Sequence, residues 1–169
     1  MNLHVGGQER KDGWQVLNVQ PGAHVDYVGD LRDLSQFADA SIETVYASHV
    51  LEHVSQADVP PVLCGVHRIL TRGGKFLISV PDLDTLCHLF ISPWATPDVK
   101  WHTMRMIFGG QIDPHDFHYM GFNEQFLRDL LGRAGFAEIL RVPSLGVFQD
   151  TSEFRPYGVP ISLNVIAVK

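Results

Sequence analysis

Two short runs of this sequence hold residue types that can do chemistry. In His49-Val50-Leu51-Glu52-His53, a carboxylate lies between two imidazoles at three- and four-residue spacing. On a helix such positions are neighbours, so the run has the spacing of a metal site. H-x-x-E-H is also the lettering of inverted zinc peptidases. The same residues can equally cap and pack a helix; that reading is preferred, and no metal is assigned. In Pro114-His115-Asp116-Phe117-His118, two imidazoles flank a carboxylate. An imidazole titrates near neutral pH and suits general-base work, and an adjacent carboxylate would raise its basicity. His118 is the first candidate base, followed by His115 and then His49. The plainer alternative is a hydrogen-bonded motif that shapes a pocket floor.

These side chains need elements to position them. Ile42–Ser48 is an apolar strand that runs into the polar turn Ala47-Ser48-His49. A helix is expected over Asp58–Arg72, with Asp58 as its cap and Pro60 or Pro61 in its first turn. Val62, Leu63, Val66, Ile69 and Leu70 fall on one helical face. Gly73-Gly74 is expected to stop this helix, and Lys75–Val80 is the next apolar strand. Strand, helix and strand make a β-α-β unit with parallel strands. In open sheets of this kind, ligands bind beyond the carboxyl ends of the strands. That places Ser48 and His49 at a binding edge.

Shorter strands are expected at Asn2–Val5, Trp14–Val19 and Val25–Val28, each followed by turn residues. Only QERKDG separates Gly7 from Trp14. A full crossover takes about ten to twelve residues, so either the first connection is reduced to a loop or the first two strands are not a standard unit. A second helix is expected over Glu124–Ala134, capped by Asn123, with Phe126, Leu127, Leu130, Leu131 and Ala134 buried. Strands Ala137–Val142 and Ile161–Val168 follow. Residues 86–121 break the alternation. They hold Trp94, Trp101, Met104, Met106, Phe108 and several histidines, and are expected to be a partly helical insertion or lid over the ligand edge.

Composition narrows the function classes. The chain has 169 residues, 45% of them hydrophobic, which suits one domain with a real core. A net charge of -6 argues against a nucleic-acid surface. No apolar run approaches the roughly 20 residues of a membrane span. The start, MNLHVGG, has no charged leader before an apolar stretch, and Cys64 and Cys87 form no motif. A reduced, cytoplasmic protein is expected.

VDYVGDLRDL followed by ASIETVYASHVLEHV, then VHRILTRGGKFLISVPDLDTL, GGQIDPHDFHYMGFN, FLRDLLGRAGF and PISLNVIAVK resemble, in that order, the successive blocks of class I S-adenosylmethionine-dependent methyltransferases. Within that class they are similar to the small bacterial type 11 group, often found among sugar and polysaccharide genes. The resemblance covers nearly the whole chain. It implies a single α/β domain over residues 1–169, Rossmann-like and doubly wound. Its mostly parallel seven-stranded sheet would have the order 3-2-1-4-5-7-6 with the last strand antiparallel, here with a reduced first βα unit.

The resemblance also implies a cofactor, S-adenosylmethionine, lying across the carboxyl ends of the first four strands. Gly6 and Gly7 would let the backbone approach its methionine part, with Ser48 nearby. Gln20 stands where the family usually has an acid that holds the ribose hydroxyls. Glutamine offers one acceptor oxygen where a carboxylate offers two, so a weaker or shifted grip is expected; Asp26 could substitute if its loop folds back. Asp30 would take the adenine amino group while the Leu31 N–H faces a ring nitrogen, although Asp30 could also be an ordinary turn residue. The implied activity is methyl transfer to a small-molecule or carbohydrate acceptor, with oxygen favoured as the methylated atom. The departures at the first loop and at Gln20 also suit an inactive member of the fold that serves as a binding or scaffold protein. A second copy of the chain is a candidate partner.

Overall fold

The computed structural model describes residues 1–169. Its centre is β4 (Ile42–Ser48), in which Val45, Tyr46 and Ala47 are all buried. Consecutive burial of this kind marks a strand covered on both faces. β1 (Asn2–Val5), β2 (Trp14–Asn18) and β3 (Tyr27–Val28) extend the sheet on one side, and β5 (Leu70–Pro81), β6 (Glu138–Val142) and β7 (Ser162–Val168) on the other. The strand order is β3-β2-β1-β4-β5-β7-β6. β1 to β5 pair in parallel, and β7 runs antiparallel to both neighbours. This is the expected mixed, Rossmann-like α/β sheet. Residues 6–13 join the parallel strands β1 and β2 without a helix, so the first βα unit is reduced as the short linker implied.

The two faces of the sheet are covered differently. One packs on α1 (Val59–Ile69) and α4 (Glu124–Arg133), and Leu3, Val45, Phe76, Ile78 and Val165 belong to this main core. Val59, Val62, Leu63, Val66 and Ile69 form the buried stripe of α1. The other face carries a smaller aromatic cluster in which Tyr46 and Leu77 pack against Leu145 and Phe148 from the loop after β6. α2 (Leu83–Ile91) and α3 (Pro97–Phe108) form a third cluster with Ile161. No helix is long and apolar enough to cross a membrane.

Several expected boundaries shift. α1 ends at Ile69, before Gly73-Gly74, because Leu70 already pairs with Ile42. The glycines sit instead in a bulge, where the pairing jumps to Thr44 opposite Lys75 and Gly73 turns at φ 74°. Asp58 precedes α1 but makes no side-chain cap; its carboxylate takes the Ser55 hydroxyl at 2.7 Å. Asn123 does cap α4, accepting the Phe126 N–H at 2.9 Å. Phe126 itself is 50% exposed, while Leu127 and Leu131 face the core. One residue is about 100° of helix turn, enough to carry Phe126 off the buried stripe.

Candidate functional site

A cleft of about 750 Å³ opens at the carboxyl ends of β1, β2, β3 and β4. Gly6, Gln20, Asp30, Leu31, Ser48, His49 and His115 all line it. Gly7 and His118 do not. Its remaining walls include Asn18, Arg32, His53, Tyr119 and the segment Phe148–Thr151.

The turn after β1 is shaped for close approach. The Gly6 N–H still pairs with the Leu17 carbonyl at 2.8 Å, and the chain then turns at φ 74°. A Cβ at Gly6 would lie 2.7 Å from the Val50 side chain, and one at Gly7 would meet the His4 ring at 2.7 Å. Only glycine fits either place. Asn18, at the end of β2, ties the turn down. Its amide donates to the Gly7 carbonyl at 3.0 Å, and its oxygen accepts the Gln20 N–H at 3.0 Å. Asn18 was not singled out in the sequence.

The acidic residues are already engaged. Asp30 accepts the Arg32 N–H at 2.8 Å and grips its guanidinium through both oxygens, at 2.9 and 2.6 Å. The bonded Arg32 guanidinium holds the Asp30 carboxyl below its usual range. A carboxylate has about four lone-pair sites, so one stays open on the outer oxygen. Asp26 does not fold back to the cleft: it accepts the Val16 N–H at 2.8 Å and sits 3.5 Å from Arg10.

The H-x-x-E-H run does not lie on an α-helix. His49 is left-handed, with φ 53°, and its N–H still pairs with the Ser79 carbonyl. Only Leu51–His53 form a single 3-10 turn. Even so, His49 Nδ1 lies 3.3 Å from Glu52 Oε1, and His49 Nε2 lies 2.9 Å from the Ser162 hydroxyl. Glu52 is fully buried. Burial works against its ionisation, but His49, His118 and His53 outweigh that and hold its carboxyl below the usual range.

His118 is folded inward, its ring edge-on to His53 at 4.8 Å between centroids. Burial pushes its imidazole below the ordinary range, with the Glu52 charge pulling the other way. The expected pairing with Asp116 does not form; that carboxylate closes its own loop on the Ile112 N–H at 3.3 Å. His115 reaches the cleft rim near Asp30, and its ring carries no hydrogen bond.

Asp150, like Asn18 and Arg32, is a cleft residue that sequence reasoning missed. It accepts the Tyr46 hydroxyl at 2.8 Å, the Ser48 hydroxyl at 3.1 Å and the Ser152 N–H at 2.9 Å. It therefore fastens the loop after β6 to the end of β4. Asp150-Thr151-Ser152 does have the form of a capped turn, but nothing local ties it to residues a hundred positions earlier.

Comparison with known families matches residues 9–78 to the methyltransferase domain family. No curated protein matches the chain. Among solved structures, an S-adenosylmethionine-dependent methyltransferase from Archaeoglobus fulgidus superposes with a TM-score of 0.65 at 15% identity, over 99% of this chain and 85% of that one. The 1,6-didemethyltoxoflavin N1-methyltransferase of Burkholderia thailandensis, bound to 1,6-didemethyltoxoflavin and S-adenosylhomocysteine, gives 0.62 at 18% identity, over 99% and 70%. An S-adenosylmethionine-dependent methyltransferase from Mesorhizobium loti gives 0.59 at 18%, over 99% and 90%. At these identities the superpositions establish a shared fold.

Proposed function

We propose that this chain, which folds as a class I methyltransferase and carries the methyltransferase domain family's match, moves a methyl group from S-adenosylmethionine to a small-molecule or sugar-like acceptor at oxygen. The observation that carries the reading is the cleft at the carboxyl ends of β1 to β4, with Gly6 in its lining. When bound, the cofactor supplies a methyl group on a sulfonium already activated for transfer. The chain's part is placement, which supplies much of the acceleration in such reactions.

In this reading Gly6 and the turn behind it take the methionine end, with Gly7 holding the turn's shape through Asn18. Gln20 meets the ribose, and Asp30 with the Leu31 N–H meets the adenine edge. Arg32 fixes the orientation of Asp30 in advance, through three hydrogen bonds. Ser48 is held by Asp150 at the centre of the cleft. Of the three candidate bases, His115 has a free ring at the rim. His49 is taken up by Ser162 and lies beside Glu52, and His118 does not line the cleft. Of residues 86–121, the expected insertion or lid, Pro114, His115 and Tyr119 line the cleft and serve as its cover.

The test is calorimetric titration of S-adenosylmethionine and then S-adenosylhomocysteine. Micromolar binding is expected, and Gln20→Asp should tighten it by supplying a second acceptor oxygen. A second reading, an inactive binding or scaffold protein of this fold, draws on the missing helix after β1 and on the Arg32 clasp of Asp30. Absence of binding to both ligands at millimolar concentration would select it.

A further inference from the structure

We propose that Glu52, His53 and His118 form a binding site for a divalent transition-metal ion beside the cleft, at the part of its wall that His53 lines. One ligand atom from each lies within 4.8 Å of the others. The site joins two separate stretches of chain, the 3-10 turn Leu51–His53 and the segment after α3. A backbone bond clamps them together, from the Tyr119 N–H to the Glu52 carbonyl at 2.8 Å, and the His118 N–H ties its own segment to the Phe108 carbonyl at 3.1 Å.

Three observations point to a cation. The first is Glu52. Its side chain is wholly buried, and neither carboxylate oxygen has a hydrogen-bond partner. Buried carboxylates are normally paired, hydrogen-bonded or metal-bound. The second is the proton on His53. Its Nδ1 lies 3.1 Å from the Phe117 carbonyl, which can only accept. Nδ1 must therefore carry the hydrogen, leaving the Nε2 lone pair free. A carbonyl behind the ring sets the tautomer of metal-binding histidines in the same way.

The third is convergence. His49 Nε2 is taken up by the Ser162 hydroxyl at 2.9 Å, while its Nδ1 lies 3.3 Å from Glu52. With His53 and His118, three imidazoles therefore gather around one buried carboxylate.

Two imidazole nitrogens and one carboxylate oxygen are the donor set of zinc and its first-row neighbours, unlike the all-oxygen cages of magnesium or calcium. Three protein ligands leave a coordination position open. Of the three ligands, only His53 lines the cleft. On the methyl-transfer reading, and only there, an acceptor hydroxyl bound at the open position loses its proton to solvent more readily.

The experiment uses the full chain with any affinity tag removed. Metal is stripped with chelator, and Zn²⁺ is titrated by calorimetry and Co²⁺ by its visible absorption. One equivalent should bind at micromolar affinity or tighter. Glu52→Gln and His118→Ala should each weaken binding by about tenfold or more, while His88→Ala on α2 should leave it unchanged. Circular dichroism identifies any variant that fails to fold, and His53→Ala then takes its place. Stoichiometry well below one, or equal affinity in the folded Glu52→Gln variant, would overturn the site and leave a His49–Glu52 ion pair. S-adenosylhomocysteine titrated into the same stripped protein separates the two proposals, because it reads the cofactor end without the metal.

Discussion

His4 shows what a single residue's surroundings can do. It is 6% exposed on the aromatic face of the sheet, with the Phe148 ring 4.0 Å and the Tyr46 ring 5.0 Å away. Its Nδ1 has no partner, and burial pushes its pKa down to about 4, against the opposing pull of Asp150. Below about 6.5 the unfolded chain takes up a proton that the folded one refuses until about 4. Stability is therefore lost as pH falls through that window, by about 3 kcal/mol in all. Urea unfolding at pH 7 and at pH 4.5 should show this acid limb, and His4→Phe should flatten it. The strand pattern in Asn2–Val5 was readable, but what lies over His4 was not, since Phe148 is a long way along the chain. Gly6, Gln20, Asp30 and Ser48 were legible through the family resemblance, and each lies at or within two residues of the carboxyl end of a strand. Asp150 and Arg32 were not, because their importance lies in a partner: Asp150 in Ser48 and Tyr46, Arg32 in Asp30.

At the level of elements, local signals succeeded where backbone chemistry decides and failed where pairing decides. Asn123 caps α4 as its type suggests, and Asn123→Ala should cost about 1 kcal/mol of stability, measurable by denaturant unfolding. Gly73-Gly74 reads as a helix stop, yet the helix gives way earlier to Leu70 pairing with Ile42. H-x-x-E-H reads as one helical face, yet His49 is pulled into a left-handed turn by its bond to Ser79. In both places a long-range sheet contact overrode a local preference. The lack of a helix between β1 and β2 was legible, because a linker that short cannot hold one.

For the whole molecule, the sheet order was legible through the family resemblance, but the covering of its second face was not. Leu145 and Phe148 do that work from a loop with no periodicity to reveal it. Because the cleft draws on both halves of the chain, a ligand there should stabilise the domain as a unit. S-adenosylhomocysteine at a hundred times its dissociation constant should add about 2.7 kcal/mol. For a chain of this size that is a rise of about 5–10 °C in melting temperature, readable by scanning calorimetry. The position of β7 has a consequence in time. It lies between β5 and β6 although it follows both in the chain. Its Asn164 donates to the Ser152 carbonyl at 3.1 Å, and its Ser162 to the Thr151 carbonyl, fixing the cleft wall. While the ribosome is still making the chain, β6 has no sheet to join and the wall lacks the two bonds that β7 supplies. A nascent chain stalled before residue 162 should therefore be a client for chaperones and blind to ligand, and recognition should switch on only when β7 has cleared the exit tunnel.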